Sequence, residues 1–157
     1  MQHEIPAATH PAQGASGMTR DEIVGFFTRR EDLYNDFDAA ALAADYAEEA
    51  VIESPIAGVH TGKAAAEQAL RAVFAAFLDR TMRTESLLID GDRVAQVFAI
   101  EGTHIGEFLG LAPTGKPFRH TAVFLYELRD RLIVRERRIY DFTGLLVQIG
   151  VMKAKPV

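Results

Sequence analysis

Four residues of this chain have the types and placement that acid–base chemistry needs. Glu53 stands in VIESPIAGVHTG, Val51 to Gly62, directly before Ser54-Pro55. Glu136 and Arg138 are two apart in LIVRERRIY, and His120 lies in FRHTAVFLYEL. Proton abstraction next to a carbonyl needs a carboxylate in a largely apolar site, where its pKa can rise toward the working pH. A carboxylate beside a cation also suits work on an epoxide, an enol or a carbonyl. Glu53, His120, Glu136 and Arg138 are therefore the catalytic candidates, expected to converge on one pocket. Each has a plainer reading as well: Glu53 as an acid supporting a turn, Glu136 with Arg138 as an ion pair on a half-buried strand, and His120 as a satisfied histidine. Neighbouring strand residues point to opposite faces, so only one of Glu53 and Ser54 can enter the pocket fully. The carboxylate is the one expected inside, with Ser54 facing away or supporting the turn; Ser54 is kept as a secondary substrate-binding candidate.

The elements that must position these residues follow from periodicity. Thr19-Arg-Asp-Glu22 is a capping box, opening a helix through Ile23, Phe26, Phe27, Arg30 and Tyr34. Asp38 caps a second helix through AAALAADYAEEA, and Val51 to Ser54 is a short strand. Lys63 to Met82 is expected as a third helix, burying Ala66, Leu70, Val73, Phe74, Phe77 and Leu78. SLLID and RVAQVFAI flank Gly91-Asp92 as a hairpin, and the second strand is expected to continue through EGTHIGEF. Pro113 to Lys116 turns the chain, two long strands surround Arg129-Asp130-Arg131, and Asp141 caps a short last helix. Helices first and an antiparallel meander afterwards define an α+β fold.

Period two places Phe118, His120, Ala122, Phe124 and Tyr126 on the inner face of one strand, and Glu136, Arg138 and Tyr140 on the inner face of the next. A three-residue loop would set Ala122 opposite Arg138 and His120 opposite Tyr140. Phe27, Phe74, Phe98, Phe124 and Tyr140 are expected around one apolar hollow of roughly 300–1,000 Å³. The outward residues Val123, Leu125, Ile133 and Ile139 sit among arginines, a mixed surface that suits a two-fold dimer.

Composition bounds the function. The chain has 157 residues, 48% of them apolar and 25% charged, as expected of one globular domain. A net charge of −5 argues against a nucleic-acid partner. There is no cysteine, hence no disulfide or thiolate metal site, which suits a cytoplasmic location. No metal-ligand spacing and no phosphate loop is present, and no cofactor is expected. The longest apolar run is too short for a bilayer. Residues 1–18 contain MQHEIPAATHPAQGASG, with His3 and His10 and no apolar period; they are expected as a flexible tail before a single domain over 19–157.

Two blocks resemble a known family. GTHIGEFLGLAPTGKPF (Gly102 to Phe118) and RRIYDFTGLLVQIG (Arg137 to Gly150) are similar to the SnoaL-like polyketide cyclase or ester cyclase group, with resemblance from about Asp21 to Gly150. YAEEAVIESP also resembles the ketosteroid isomerases of the same superfamily. The resemblance implies a cone-shaped α+β barrel of the nuclear-transport-factor-two type, with a deep apolar pocket and often a dimer. It implies cyclisation, isomerisation or epoxide hydrolysis of a hydrophobic metabolite without a cofactor, or a binding module that kept only the pocket. His104 lies in the first block and is a ligand-facing candidate on that ground. The family's catalytic set is not intact: the isomerase base position is Ser54, the cyclase acid/base position is Arg138, and its supporting glutamine and histidine fall at Ala122 and Phe124. Epoxide hydrolases of the superfamily place an arginine between two aspartates, which Glu136 and Arg138 resemble in principle.

Overall fold

The computed structural model describes residues 16–153. His3 and His10 lie outside the described residues. The elements are α1 (Arg20–Asn35), α2 (Ala39–Ala44), β1 (Tyr46–Ser54), β2 (Gly58–Thr61), α3 (Lys63–Ala76), β3 (Thr81–Asp90), β4 (Arg93–Thr103), β5 (Pro117–Arg129), β6 (Leu132–Tyr140) and α4 (Phe142–Gln148). Six strands form one sheet in the order β2-β1-β6-β5-β4-β3; every pair is antiparallel except β1 with β6. The helices pack against this sheet, and Phe27, Leu42, Leu70, Phe98 and Tyr126 are buried between the layers. Antiparallel strands joined by tight turns follow a group of N-terminal helices, which is an α+β architecture.

The caps form where the side chains dictate. Thr19 Oγ1 accepts from the Glu22 amide at 3.3 Å, and Glu22 Oε2 accepts from the Thr19 amide at 2.8 Å. Asp38 and Asp141 accept from the Ala41 and Gly144 amides and start α2 and α4. Order begins before the capping box. The Ser16 amide donates to Asp92 at 2.7 Å, and its carbonyl accepts from the Arg131 amide at 2.7 Å. Ser16 to Met18 thus belong to the folded body rather than to a tail ending at 18.

Three elements differ from the sequence expectation. β1 starts at Tyr46, within the stretch expected as helix. Tyr46 and Ala50 are four apart and mimic helical spacing, but a register shift between Tyr46 and Val51 brings Tyr46, Ala50 and Ile52 to the same buried side of a strand. α3 stops at Ala76, six residues before Met82. There Asn35 clamps Met82 with two hydrogen bonds, at 2.8 and 2.9 Å, which holds the chain extended from the start of β3. Leu78, expected inward, is therefore left exposed. β4 ends at Thr103, because the Ile105 and Gly106 amides turn to cap the Ala76 carbonyl.

The β5–β6 register also differs. The loop is two residues, Asp130 and Arg131, both with positive φ, and Arg129 pairs with Leu132. An irregularity between Glu127 and Leu128 adds one residue to β6, so from Arg135 to Tyr140 the faces stay as expected while the pairs move by two. Before it the face flips, and Ile133, expected outward, is fully buried opposite Leu128. Ala122 faces Tyr140, and Phe124 faces Arg138.

Candidate active site

A cavity of about 680 Å³ opens between α3 and the inner face of the sheet. Apolar wall is supplied by Ile52, Val73, Phe77, Ile100, Phe108 and Phe118. Polar groups reach it from Ser54, His60, Gln68, Arg80, Glu107, His120, Arg138 and Tyr140. Few polar groups converging on an apolar hollow is the usual form of a small-molecule site.

β5 and β6 carry the central constellation. The His120 ring lies stacked on Phe118 at 5.7 Å and 5.6 Å from the Tyr140 ring. Its Nδ1 is buried and has no hydrogen-bond partner among the described residues. Burial lowers its pKa below the ordinary 6.5, and Arg80 adds to the effect against a weaker pull from Asp141. His120 is thus neutral at neutral pH. The Tyr140 hydroxyl is 3.3 Å from Ser54 Oγ, and burial raises its pKa, so it remains a hydrogen-bond donor.

Arg138 stands on an apolar floor, its guanidinium 5.0 Å above the Phe124 ring. Its Nε donates to Glu136, whose other oxygen accepts from the Tyr46 hydroxyl. Tyr46 in turn accepts from Arg30 at 3.2 Å, and Arg30 donates to Asp45 at 2.8 Å. Buried charges are tolerable only when paired in this way. Burial opposes the charge on Arg138, but Glu136 outweighs it and holds the guanidinium protonated well above its ordinary range. Glu136 is fully buried behind Arg138 and is not part of the cavity wall. Both its oxygens are occupied, so its place is that of an anchor for Arg138.

Glu53 does not enter the cavity. In β1 it pairs opposite Arg137 of β6, on the outer face of the sheet, and its carboxylate meets Arg135 at 2.7 Å and Arg137 at 3.6 Å. The inward position belongs to Ser54, which lines the cavity. Strand alternation decides this: Ile52 and Ser54 share the inner side, so Glu53 must take the other.

Of the ring residues expected around the hollow, Phe124 and Tyr140 line it. Phe27, Phe74 and Phe98 do not: Phe27 packs on Tyr126, Phe98 on Phe124, and Phe74 on Phe37, one layer behind the wall. His104 is also behind the wall. Its Nδ1 accepts from Thr114, its backbone bonds to Gly115 and Lys116, and its ring packs on Phe77. It pins the turn at 113–116, which explains that part of the Gly102–Phe118 block structurally.

Sequence reasoning missed His60 and Arg80. Arg80 falls inside the expected helix span Lys63 to Met82; because α3 ends at Ala76, it turns into the core instead. It is buried, with Nη1 3.1 Å from Met82 Sδ and Nη2 3.4 Å from the Tyr34 carbonyl. Among the described residues no carboxylate pairs with it and none forms a group able to hold a metal ion. The isolated arginine after the α3 pattern was the available signal.

The helices on a curved, mostly antiparallel sheet define the cone-shaped class shared by nuclear-transport-factor-two-like and ketosteroid isomerase-like proteins. The family model for SnoaL-like polyketide cyclases matches residues 23–149, and the chain belongs to that family. Among solved structures, AclR from Streptomyces galilaeus, a candidate hydroxylase, is 23% identical with a TM-score of 0.77, covering 88% of this chain and 87% of its own. TsrD from Streptomyces laurentii is 21% identical, TM-score 0.77, covering 86% and 99%. IdmH from Streptomyces antibioticus, a candidate polyketide cyclase, is 27% identical, TM-score 0.69, covering 81% and 97%. No functionally curated protein matches the sequence.

Proposed function

We propose that the chain is a cofactor-free enzyme that enolises a hydrophobic carbonyl compound and so carries out a cyclase or isomerase reaction. The observation that carries this reading is the neutral, unpartnered His120 in an apolar cavity beside Tyr140 and the Glu136-anchored Arg138. The similarity to IdmH supports the same class.

The chemistry balances with these groups alone. Neutral His120 takes a proton from the carbon next to the carbonyl, and the C–H electron pair moves to make the enolate. The oxyanion is stabilised by hydrogen bonds from Arg138 and Tyr140 in a site of low polarity. In an isomerisation, imidazolium returns the proton at a different carbon. In a cyclisation, the enolate carbon bonds to a second carbonyl of the same molecule, and the new alkoxide takes the proton from His120. Epoxide hydrolysis fits the site less well, because Glu136 has no free oxygen to activate water. A second reading, a binding module without turnover, is favoured by Ser54 and Arg138 at the positions where relatives' acids are expected.

The test is exchange of the protons next to the carbonyl of 2-tetralone in deuterated buffer, followed by NMR. The wild type is expected to accelerate exchange, and His120→Gln to lose at least about a hundredfold, the usual contribution of a positioned base. Exchange no faster than buffer, with 2-tetralone still bound, would establish the binding module instead.

A further inference from the structure

Arg80 sets a charge inside the cavity that the chemistry above does not use. The two other buried or nearly buried arginines of the core are matched: Arg30 by Asp45, and Arg138 by Glu136. Arg80 is 7% exposed and has no carboxylate within ion-pair distance among the described residues. Its guanidinium rests on the faces of Phe74 and Tyr34, at 5.0 and 5.7 Å, and its Nε has no partner. A sulfur and one long carbonyl contact are weak compensation for a guanidinium with five donors. Burial lowers its pKa to about 10, and Arg138 adds to the effect, so the cation persists at neutral pH.

A buried charge without a carboxylate partner is costly. An anion brought into the same cavity removes that cost, and a planar guanidinium favours a carboxylate through two parallel hydrogen bonds. Most of the remaining wall is apolar, with Ser54, His60, Gln68, Glu107, His120, Arg138 and Tyr140 as its polar groups, so the body of the ligand is expected to be largely hydrophobic. We infer that the cavity selects a hydrophobic carboxylate and that Arg80 is the residue that seats its carboxylate group. This rests on the cavity being a small-molecule site, and it narrows the substrate to a carboxylic acid whose reactive carbonyl lies within reach of His120. Arg80 then acts in positioning: it holds one end of the ligand while Arg138 and Tyr140 meet the other.

Calorimetric titration with 2-naphthoate and with its neutral isostere 2-naphthamide separates charge from shape. The wild type is expected to bind the acid at least about tenfold more tightly than the amide, a usual margin for a charge-assisted pair. Arg80→Met is expected to abolish that preference while the amide still binds. The unliganded variant should melt no lower than the wild type, since the uncompensated cation is replaced by an apolar side chain. Equal binding of acid and amide by the wild type would overturn the anion inference and leave the cavity reading standing. Binding of neither up to millimolar concentration would overturn both. An acid preference that survives in Arg80→Met, together with a lower melting temperature, would make Arg80 a structural clamp.

Discussion

Glu53 and Glu136 carry the same carboxylate in opposite settings, and the difference comes from which side of a strand each occupies. Glu53 shares the outer face with two arginines that are more than half exposed. Exposed ion pairs contribute about 0–1 kcal/mol, so Glu53→Gln is expected to shift urea unfolding by no more than that and to leave proton exchange unchanged. Glu136 is fully buried between the Tyr46 hydroxyl and Arg138. Glu136→Gln leaves the Arg138 cation uncompensated, and about 3–5 kcal/mol of stability should be lost in the same urea measurement. Equal effects of the two substitutions would contradict this assignment of faces. Residue type alone identified both as candidates. It could not tell an anchor from a catalyst, because that depends on whether the carboxylate oxygens are already occupied. His120 was legible by strand period, but its role depends on having no partner, which only the packed structure reveals.

At the scale of elements, local signals were read well where a side chain acts on its own backbone. The capping box at Thr19 and the caps at Asp38 and Asp141 form as written in the sequence. Elements set by distant partners were read poorly. The end of α3 depends on Asn35, 47 residues from Met82, and that boundary decides whether Arg80 lies on a helix surface or in the cavity. The β5–β6 register depends on an irregularity at Glu127–Leu128 that no turn residue announces. Gly106 shows a further long-range constraint. A Cβ there would overlap the Ala75 carbonyl oxygen, where the loop after β4 closes on the end of α3. Gly106→Ala is therefore expected to cost about 1–3 kcal/mol in urea unfolding, the range typical of overpacking a close contact. Gly25→Ala on α1, where a Cβ meets nothing, serves as the control and should be neutral or slightly stabilising. A neutral Gly106→Ala would show that the loop does not close on α3 this tightly.

For the whole molecule, the α+β cone was legible because helix and strand periods segregate along the chain. The outer face of its sheet carries an apolar row, Val97 beside Val123 beside Ile139, with Leu125 and Leu88 exposed nearby. Arginines flank that row, and we propose that it meets a second copy across a two-fold axis. Light scattering at micromolar concentration should give twice the 17.3 kDa chain mass, and Ile139→Asp should return the single mass. A wild type of single mass would remove the dimer. No described helix is long and apolar enough to cross a membrane. Such an assembly would leave the cavity free, since it opens on the other side of the sheet. The central claim is that His120 works there as a neutral base, and its pH dependence tests it most directly. A base whose pKa lies below 6.5 is deprotonated, and active, above that value. The rate of 2-tetralone proton exchange, measured by NMR from pH 4.5 to 8.5, should rise along one limb with its midpoint below 6.5 and then level off. His120→Gln should lose that limb. A midpoint above 6.5, or the same limb persisting in His120→Gln, would contradict the account.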